Sequence, residues 1–93
     1  MHAVPTSSET LAQLPPDVDL HARPAADFVR AAMGFDADIV VAHGDREADA
    51  KSLLSVLALG AKRGSTLRLR ADGDDASIAV DFLASRIATL QEL

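Results

Sequence analysis

The chain has 93 residues, of which 48% are hydrophobic and 25% charged, and its formal net charge is −5. This length and balance fit one soluble globular domain with a single core and exclude a disordered tail. The lack of cysteine excludes a disulfide framework and a thiolate metal site, and an acidic chain without Tyr or Trp is a poor nucleic-acid partner.

The N-terminal residues are small and polar, and we expect residues 1–8 to form a flexible arm ahead of a single domain at residues 9–93. No basic stretch followed by an apolar run begins the chain, and no segment reaches the roughly 18 apolar residues of a membrane span. We therefore expect a cytoplasmic protein without membrane insertion. The three histidines are scattered among different segments without the paired spacing of a zinc site, so no metal site is expected. No cofactor is expected either.

A first strand is predicted over Thr10–Leu14, where Pro15 and Pro16 remove two ladder donors. This strand must therefore lie at a sheet edge or end at the prolines. Apolar residues then recur three and four positions apart from Ala22 to Met33, with a proline in the first turn and a glycine after the last. This pattern predicts a helix that places His21 at its N-terminus.

The β-branched run in residues 38–42 predicts a second strand, and a turn at residues 43–45 leads to a short third strand at 46–49. Ser52 heads a second helix over Leu53–Leu59, and the alternation in residues 66–70 predicts a fourth strand. A third, amphipathic helix is predicted after the acidic turn at residues 72–75 and runs towards Leu93, with Phe82 on its apolar stripe.

The predicted order is therefore strand, helix, strand, strand, helix, strand, helix. The second and third strands form a hairpin and must be antiparallel. Three helices on one face of a four-stranded antiparallel sheet make a two-layer α+β sandwich whose other face is open to solvent.

The segment that begins at Leu20 carries the candidate chemistry. A histidine at a helix N-terminus is followed by backbone N–H groups that have no acceptor within the helix, here those of Ala22 and Arg23, and it lies at the positive end of the helix dipole. Such an end binds phosphate, and the same positive field favours a neutral ring with a lone pair that can attack phosphorus. The alternative from these residues alone is that His21 is a surface capping residue and Arg23 a solvated first-turn arginine.

Two segments resemble the HPr family, the histidine-containing phosphocarriers of the phosphoenolpyruvate-dependent sugar phosphotransferase system. They are Leu-His-Ala-Arg-Pro-Ala-Ala at 20–26, and Ala-Lys-Ser-Leu-Leu followed by Leu-Gly-Ala at 50–61. The resemblance runs from Leu20 to the C-terminus and implies an open-faced βαββαβα sandwich. It also implies that His21 accepts a phosphoryl group from phosphorylated enzyme I and passes it to EIIA-type proteins in sugar uptake, with Arg23 stabilising the phosphate. Such a protein carries a covalent phosphohistidine but turns over no substrate alone.

By the same resemblance, Ser52 is a regulatory phosphorylation site for a serine kinase, although serine is also a favoured helix N-cap. The second helix holds more apolar residues than one buried stripe needs, and we expect Val56 and Leu59 to be its core residues. The resemblance assigns the rest to an exposed surface on which partner proteins dock. This predicted docking patch contains Leu20, Arg30, Lys51, Leu53, Leu54 and Leu57.

Other functions stay open at this point. The chain could serve a nitrogen-regulatory or dihydroxyacetone phosphotransfer branch, or it could be a regulatory protein-binding module controlled through Ser52. A purely structural domain is a third alternative. Asp19 departs from the family because glycine is usual there, so a carboxylate stands two positions before His21. A monomer is expected, since a carrier must present one face to several partners in turn.

Overall fold

The computed structural model describes residues 6–91. It contains the seven predicted elements in the predicted order. They are β1 Ser7–Gln13, α1 Ala22–Ala32, β2 Asp38–His43, β3 Arg46–Asp49, α2 Leu53–Ala58, β4 Thr66–Asp72 and α3 Ala76–Ala88.

The four strands form one antiparallel sheet with the order β1-β4-β2-β3. The central strand β4 alternates strictly, with Leu67, Leu69 and Ala71 buried and the residues between them exposed. Because successive side chains of a strand point to opposite faces, this alternation gives the sheet one apolar and one solvated face. The helices lie on the apolar face, which confirms the predicted α+β open-faced sandwich.

The core lies between this face and the helices. Its largest fully buried side chains include Phe28 of α1, Val56 of α2, and Leu83 and Ile87 of α3. Burial of one such side chain stabilises the fold by about 1.5–3 kcal/mol. Val56 and Leu59 are buried, as predicted, and α1 packs against both α2 and α3.

The first strand starts earlier than expected. β1 pairs with β4 from Ser7, opposite Asp72, so two residues of the predicted arm belong to the sheet. Residues 1–5 of that arm lie outside the described residues. β1 is an edge strand and ends before Pro15 and Pro16, as the missing N–H groups require.

Two apolar-stripe predictions for the helices are wrong. Met33 follows α1 and is 64% exposed, and Phe82 of α3 is 45% exposed. The Phe82 ring instead packs edge-on against Phe35, with ring centroids 5.6 Å apart, and the Arg86 guanidinium lies 5.4 Å from its centroid. A cation over an aromatic face is favourable at a solvated position, so Phe82 is stabilised outside the core.

The third helix ends at Ala88, earlier than expected. The Thr89 hydroxyl donates to the carbonyls of Ser85 and Arg86, at 3.0 and 3.2 Å, and hydrogen bonds of this kind compete with helix continuation. Leu90 is still buried beyond the helix end. No helix in residues 6–91 is long and apolar enough to cross a membrane.

Candidate functional site

His21 is the N-cap residue of α1. Its backbone is extended, with φ −85° and ψ −173°, and its carbonyl accepts the hydrogen bond from the Ala25 N–H at 2.8 Å. Its side chain makes no capping hydrogen bond and is 68% exposed. The ring is therefore available to a partner molecule, at a helix end where the dipole favours anions.

Ala22 and Arg23 follow as the first two residues of α1, and both are exposed. The first N–H groups of a helix have no acceptor within the helix and point towards its N-terminal end. Pro24 comes next and is buried; its ring fixes φ without costing the helix a hydrogen bond, because a third-position N–H has no acceptor there either. The two residues predicted to form the phosphate cradle therefore lie in the first turn of α1.

The segment before His21 is anchored to the loop that follows α2. The Leu20 N–H donates to the Ala61 carbonyl at 3.0 Å, and the His21 N–H donates to the Asp19 carbonyl at 2.8 Å. Leu20 is only 5% exposed and belongs to the core. The prediction that Leu20 contributes to the docking patch is therefore wrong, because this anchoring turns its side chain into the protein.

The Asp19 side chain contacts both the loop after α2 and the His21 ring. Its Oδ1 accepts from the backbone N–H of Arg63 at 2.7 Å and from Nε of Arg63 at 3.3 Å, and its Oδ2 accepts from Nη2 at 3.2 Å. Oδ2 also lies 3.4 Å from Nε2 of His21. No residue other than glycine in the described part of the chain has a positive φ, so position 19 accommodates a side chain without strain.

These contacts determine the charge of Asp19. The hydrogen bond from the Arg63 side chain, followed by the one from its backbone N–H, lowers the pKa of Asp19 to about 2, against a smaller opposing effect of desolvation. Electrostatic interactions with the Arg63 and His21 side chains act in the same direction. Sequence reasoning singled out Asp19 but not Arg63, and the only signal for Arg63 was its opposite charge in a loop that had no predicted position.

A hollow of about 230 Å³ opens beside the ring, lined by His21, Asp19, Leu57 and Lys62 among others. Leu57 is half-buried, while Leu53 and Leu54 are 37% and 80% exposed. Because α1 packs against α2, these leucines form an apolar surface on the same pair of helices as the histidine.

The two predicted cations of the docking patch differ. Arg30 is exposed in the last turn of α1. Lys51 is half-buried, and its Nζ donates to the Phe35 carbonyl at 2.7 Å. Lys51 therefore ties the start of α2 to the segment that follows α1, in addition to any contact with a partner.

Ser52 is the N-cap residue of α2, as its residue type suggested. Its Oγ accepts from the Ser55 N–H at 3.4 Å and donates to the Ser55 Oγ at 3.0 Å. Its side chain thus serves the helix itself. Of the other histidines, His43 ends β2 and His2 lies outside the described residues. Residues 6–91 contain no group of three or more His, Asp or Glu side chains that could hold a metal ion.

Comparison with known proteins agrees with this geometry. The family model described as PTS HPr component phosphorylation site matches residues 10–89. The phosphocarrier protein HPr of Haemophilus influenzae is 43% identical over 72 residues, which cover 77% of this chain and 85% of the relative.

Two solved structures are similar as well. A phosphocarrier protein HPr from Bacillus anthracis superposes with a TM-score of 0.83 at 32% identity, covering 87% of this chain and 96% of that one. An HPr dimer from Thermoanaerobacter tengcongensis gives a TM-score of 0.61 at 40% identity, covering 74% and 84%. These matches confirm the resemblance seen in the two sequence segments.

Proposed function

The chain belongs to the HPr family of phosphocarrier proteins of the phosphotransferase system, and we propose that His21 is its phosphoryl acceptor. In this proposal phosphorylated enzyme I donates the phosphoryl group, and an EIIA-type protein in sugar uptake receives it. The observation that supports it best is the exposed, non-capping histidine at the N-terminus of α1. We propose that the carrier acts in the cytoplasm.

The transfer requires little from the protein beyond position and charge. A lone pair of the His21 ring forms the new P–N bond while the donor's bond to phosphorus breaks, and the phosphoryl oxygens then lie at the end of α1. The backbone N–H groups of Ala22 and Arg23 and the Arg23 guanidinium would stabilise their charge. Each dipole or exposed-charge interaction contributes only about 0.3–1 kcal/mol, so the group is held weakly enough to be passed on.

We propose that the partners dock on the apolar surface beside the ring. Leu54 is its most exposed member, Leu53 and Leu57 extend it, and Arg30 and Lys51 provide its positive rim. An apolar centre with a charged rim is typical of a transient interface. A carrier that serves a donor and an acceptor in turn needs such a surface free, which is consistent with a monomer as its working form.

Regulation by a serine kinase at Ser52 is a second part of this proposal. A phosphoryl group on Oγ would replace the hydroxyl that now contacts Ser55, and it would add about two negative charges beside the docking leucines. Docking of an acidic partner would weaken by charge repulsion.

The experiment that tests the proposal mixes the purified protein with phosphoenolpyruvate and enzyme I and measures intact mass. We expect a gain of one phosphoryl group that is labile in acid, and no gain for His21→Ala. His43→Ala is the matched control, because it removes a histidine at the end of β2 and should leave the adduct intact. An adduct that persists in His21→Ala, or none in the wild type with enzyme I from the same source, would contradict the proposal.

A further inference from the structure

The Asp19 carboxylate contacts two groups from different parts of the chain. Three hydrogen bonds join it to Arg63, which lies 44 positions away, and its Oδ2 also approaches Nε2 of His21 to 3.4 Å. The carboxylate is therefore fixed in place by the loop after α2 while it faces the reactive ring. A contact of this length is usual for a site without its partner bound, and such contacts tighten in the complex.

This contact distinguishes the two nitrogens of the ring. An ionised carboxylate can only accept hydrogen bonds, so the nitrogen facing it is the one that carries the proton. With the proton on Nε2, the lone pair of the neutral ring is on Nδ1. A carboxylate that orients a histidine in this way selects its tautomer, as it does in metal sites and catalytic triads.

We propose that Asp19, held by Arg63, is a positioning residue that keeps a proton on Nε2 of His21 so that Nδ1 forms and releases the P–N bond. This inference rests on the proposed function, because it assigns a role within phosphoryl transfer. It goes beyond the family resemblance, in which glycine usually occupies the position of Asp19.

The proton on Nε2 matters most when the phosphoryl group leaves. On arrival, the Nδ1 lone pair forms the P–N bond and the ring becomes cationic while Nε2 keeps its proton. On departure, the electron pair of that bond returns to Nδ1, and the leaving group is a neutral imidazole. Without the Nε2 proton the leaving group would be an imidazole anion, which leaves far more slowly. A carboxylate at Nε2 favours the cationic ring and so shortens the life of the phosphohistidine.

Other charged groups stand near the ring. Arg23 follows on α1, and Lys62 lines the same hollow in the loop after α2. The positive charges of Arg23 and Lys62 disfavour a cationic ring. The Asp19 carboxylate has the opposite effect, because it contacts the ring directly. Arg63 also limits the repulsion between Asp19 and an incoming phosphoryl group, because its guanidinium already pairs with that carboxylate.

The test compares Asp19→Asn with Asp45→Asn, a substitution that changes the net charge equally at an exposed position in the turn between β2 and β3. Each protein is phosphorylated with enzyme I and phosphoenolpyruvate and separated from both. The loss of phosphohistidine is then followed by ³¹P NMR at one fixed pH near neutrality. We expect the phosphohistidine of Asp19→Asn to live roughly two- to fivefold longer, the size of an exposed ion-pair effect, and that of Asp45→Asn to match the wild type.

A second measurement does not depend on phosphorylation. In the unphosphorylated proteins, the ¹⁵N shifts of the His21 ring show which nitrogen carries the proton. We expect Nε2 to carry it in the wild type and in Asp45→Asn, and the shifts to move in Asp19→Asn. Asp19→Gly serves as the second variant if the asparagine protein loses the folded spectrum, since position 19 has an ordinary backbone conformation.

A wild-type ring protonated on Nδ1, or equal lifetimes in Asp19→Asn and the wild type, would overturn the positioning role and leave the carrier function standing. Failure of the wild type to form any phosphohistidine would overturn the proposed function, and the positioning role with it. The two results are therefore distinguishable.

Discussion

The N-termini of α1 and α2 are built in opposite ways. At α1 the capping residue His21 is exposed and makes no capping hydrogen bond, while the leucine beside it, Leu20, is buried. At α2 the capping residue Ser52 is half-buried and bonded to its own helix, while Leu53 and Leu54 beside it are exposed. At α1 an exposed imidazole follows a buried leucine, and at α2 exposed leucines follow a serine that is bonded to its own helix. A carrier needs both, a group to transfer and a surface on which partners bind.

The largest effect is expected from the leucines. Leu20→Ala should lower the free energy of unfolding by about 2–5 kcal/mol, because it leaves a cavity in the core. Leu54→Ala should change it by less than about 0.5 kcal/mol, because the side chain is largely in solvent. Urea unfolding followed by circular dichroism measures both values. Equal losses of unfolding free energy in the two variants would contradict the contrast between a buried Leu20 and an exposed Leu54.

A second prediction for Leu54 concerns function. Leu54→Asp should retain the folded circular dichroism spectrum and slow phosphoryl transfer from enzyme I, since it places a charge in the proposed docking surface. Loss of that spectrum would instead identify Leu54 as part of the core.

The capping residues should differ by a smaller amount. Ser52→Ala should cost about 0.5–2 kcal/mol of unfolding free energy, because the Ser55 N–H loses its acceptor. His21→Ala should cost less than about 0.5 kcal/mol, because no side-chain cap is lost. The same urea titrations apply, and a larger loss for the histidine than for the serine would reverse our interpretation of the two ends.

The smallest effect concerns pH. The pKa of Asp19 falls from 3.8 to about 2 on folding, through its bonds with Arg63, so between these values the unfolded chain binds more protons than the folded one. The stability that Asp19 contributes is therefore fully present above about pH 4 and is lost as the pH falls towards 2.

We expect the difference in unfolding free energy between the wild type and Asp19→Asn to shrink over this range. The difference for Ser52→Ala should stay constant there, since a serine hydroxyl does not titrate. Urea titrations from pH 2 to 6 measure both differences, and a constant Asp19 difference would contradict the assignment.

The strands and helices with a clear local pattern were predicted from the sequence. Strict alternation located β4, three- and four-residue spacing located α1, and Pro15 with Pro16 marked the end of β1, because each signal depends only on local geometry. The two family segments contain His21 and Ser52, which lie at the N-termini of α1 and α2 as expected.

The sequence did not predict what the loops bring together. The bond between Leu20 and Ala61 and the pairing of Asp19 with Arg63 join residues more than 40 positions apart, in segments without periodicity. The hydrogen bond from Lys51 to the Phe35 carbonyl was not predicted either, because it also joins two separate segments of the chain. Such contacts depend on how finished elements dock, which no pattern within a single segment records.

The missing side-chain cap at His21 has a consequence for how this domain evolves. Since we expect the histidine to contribute little to folding, selection for a stable fold should not protect it, and a descendant that lost it should fold as well as its ancestor. Under the proposed function, only the demand for phosphoryl transfer maintains that residue. The same scaffold could drift into a docking protein without chemistry through one substitution, and it would keep the leucine surface intact.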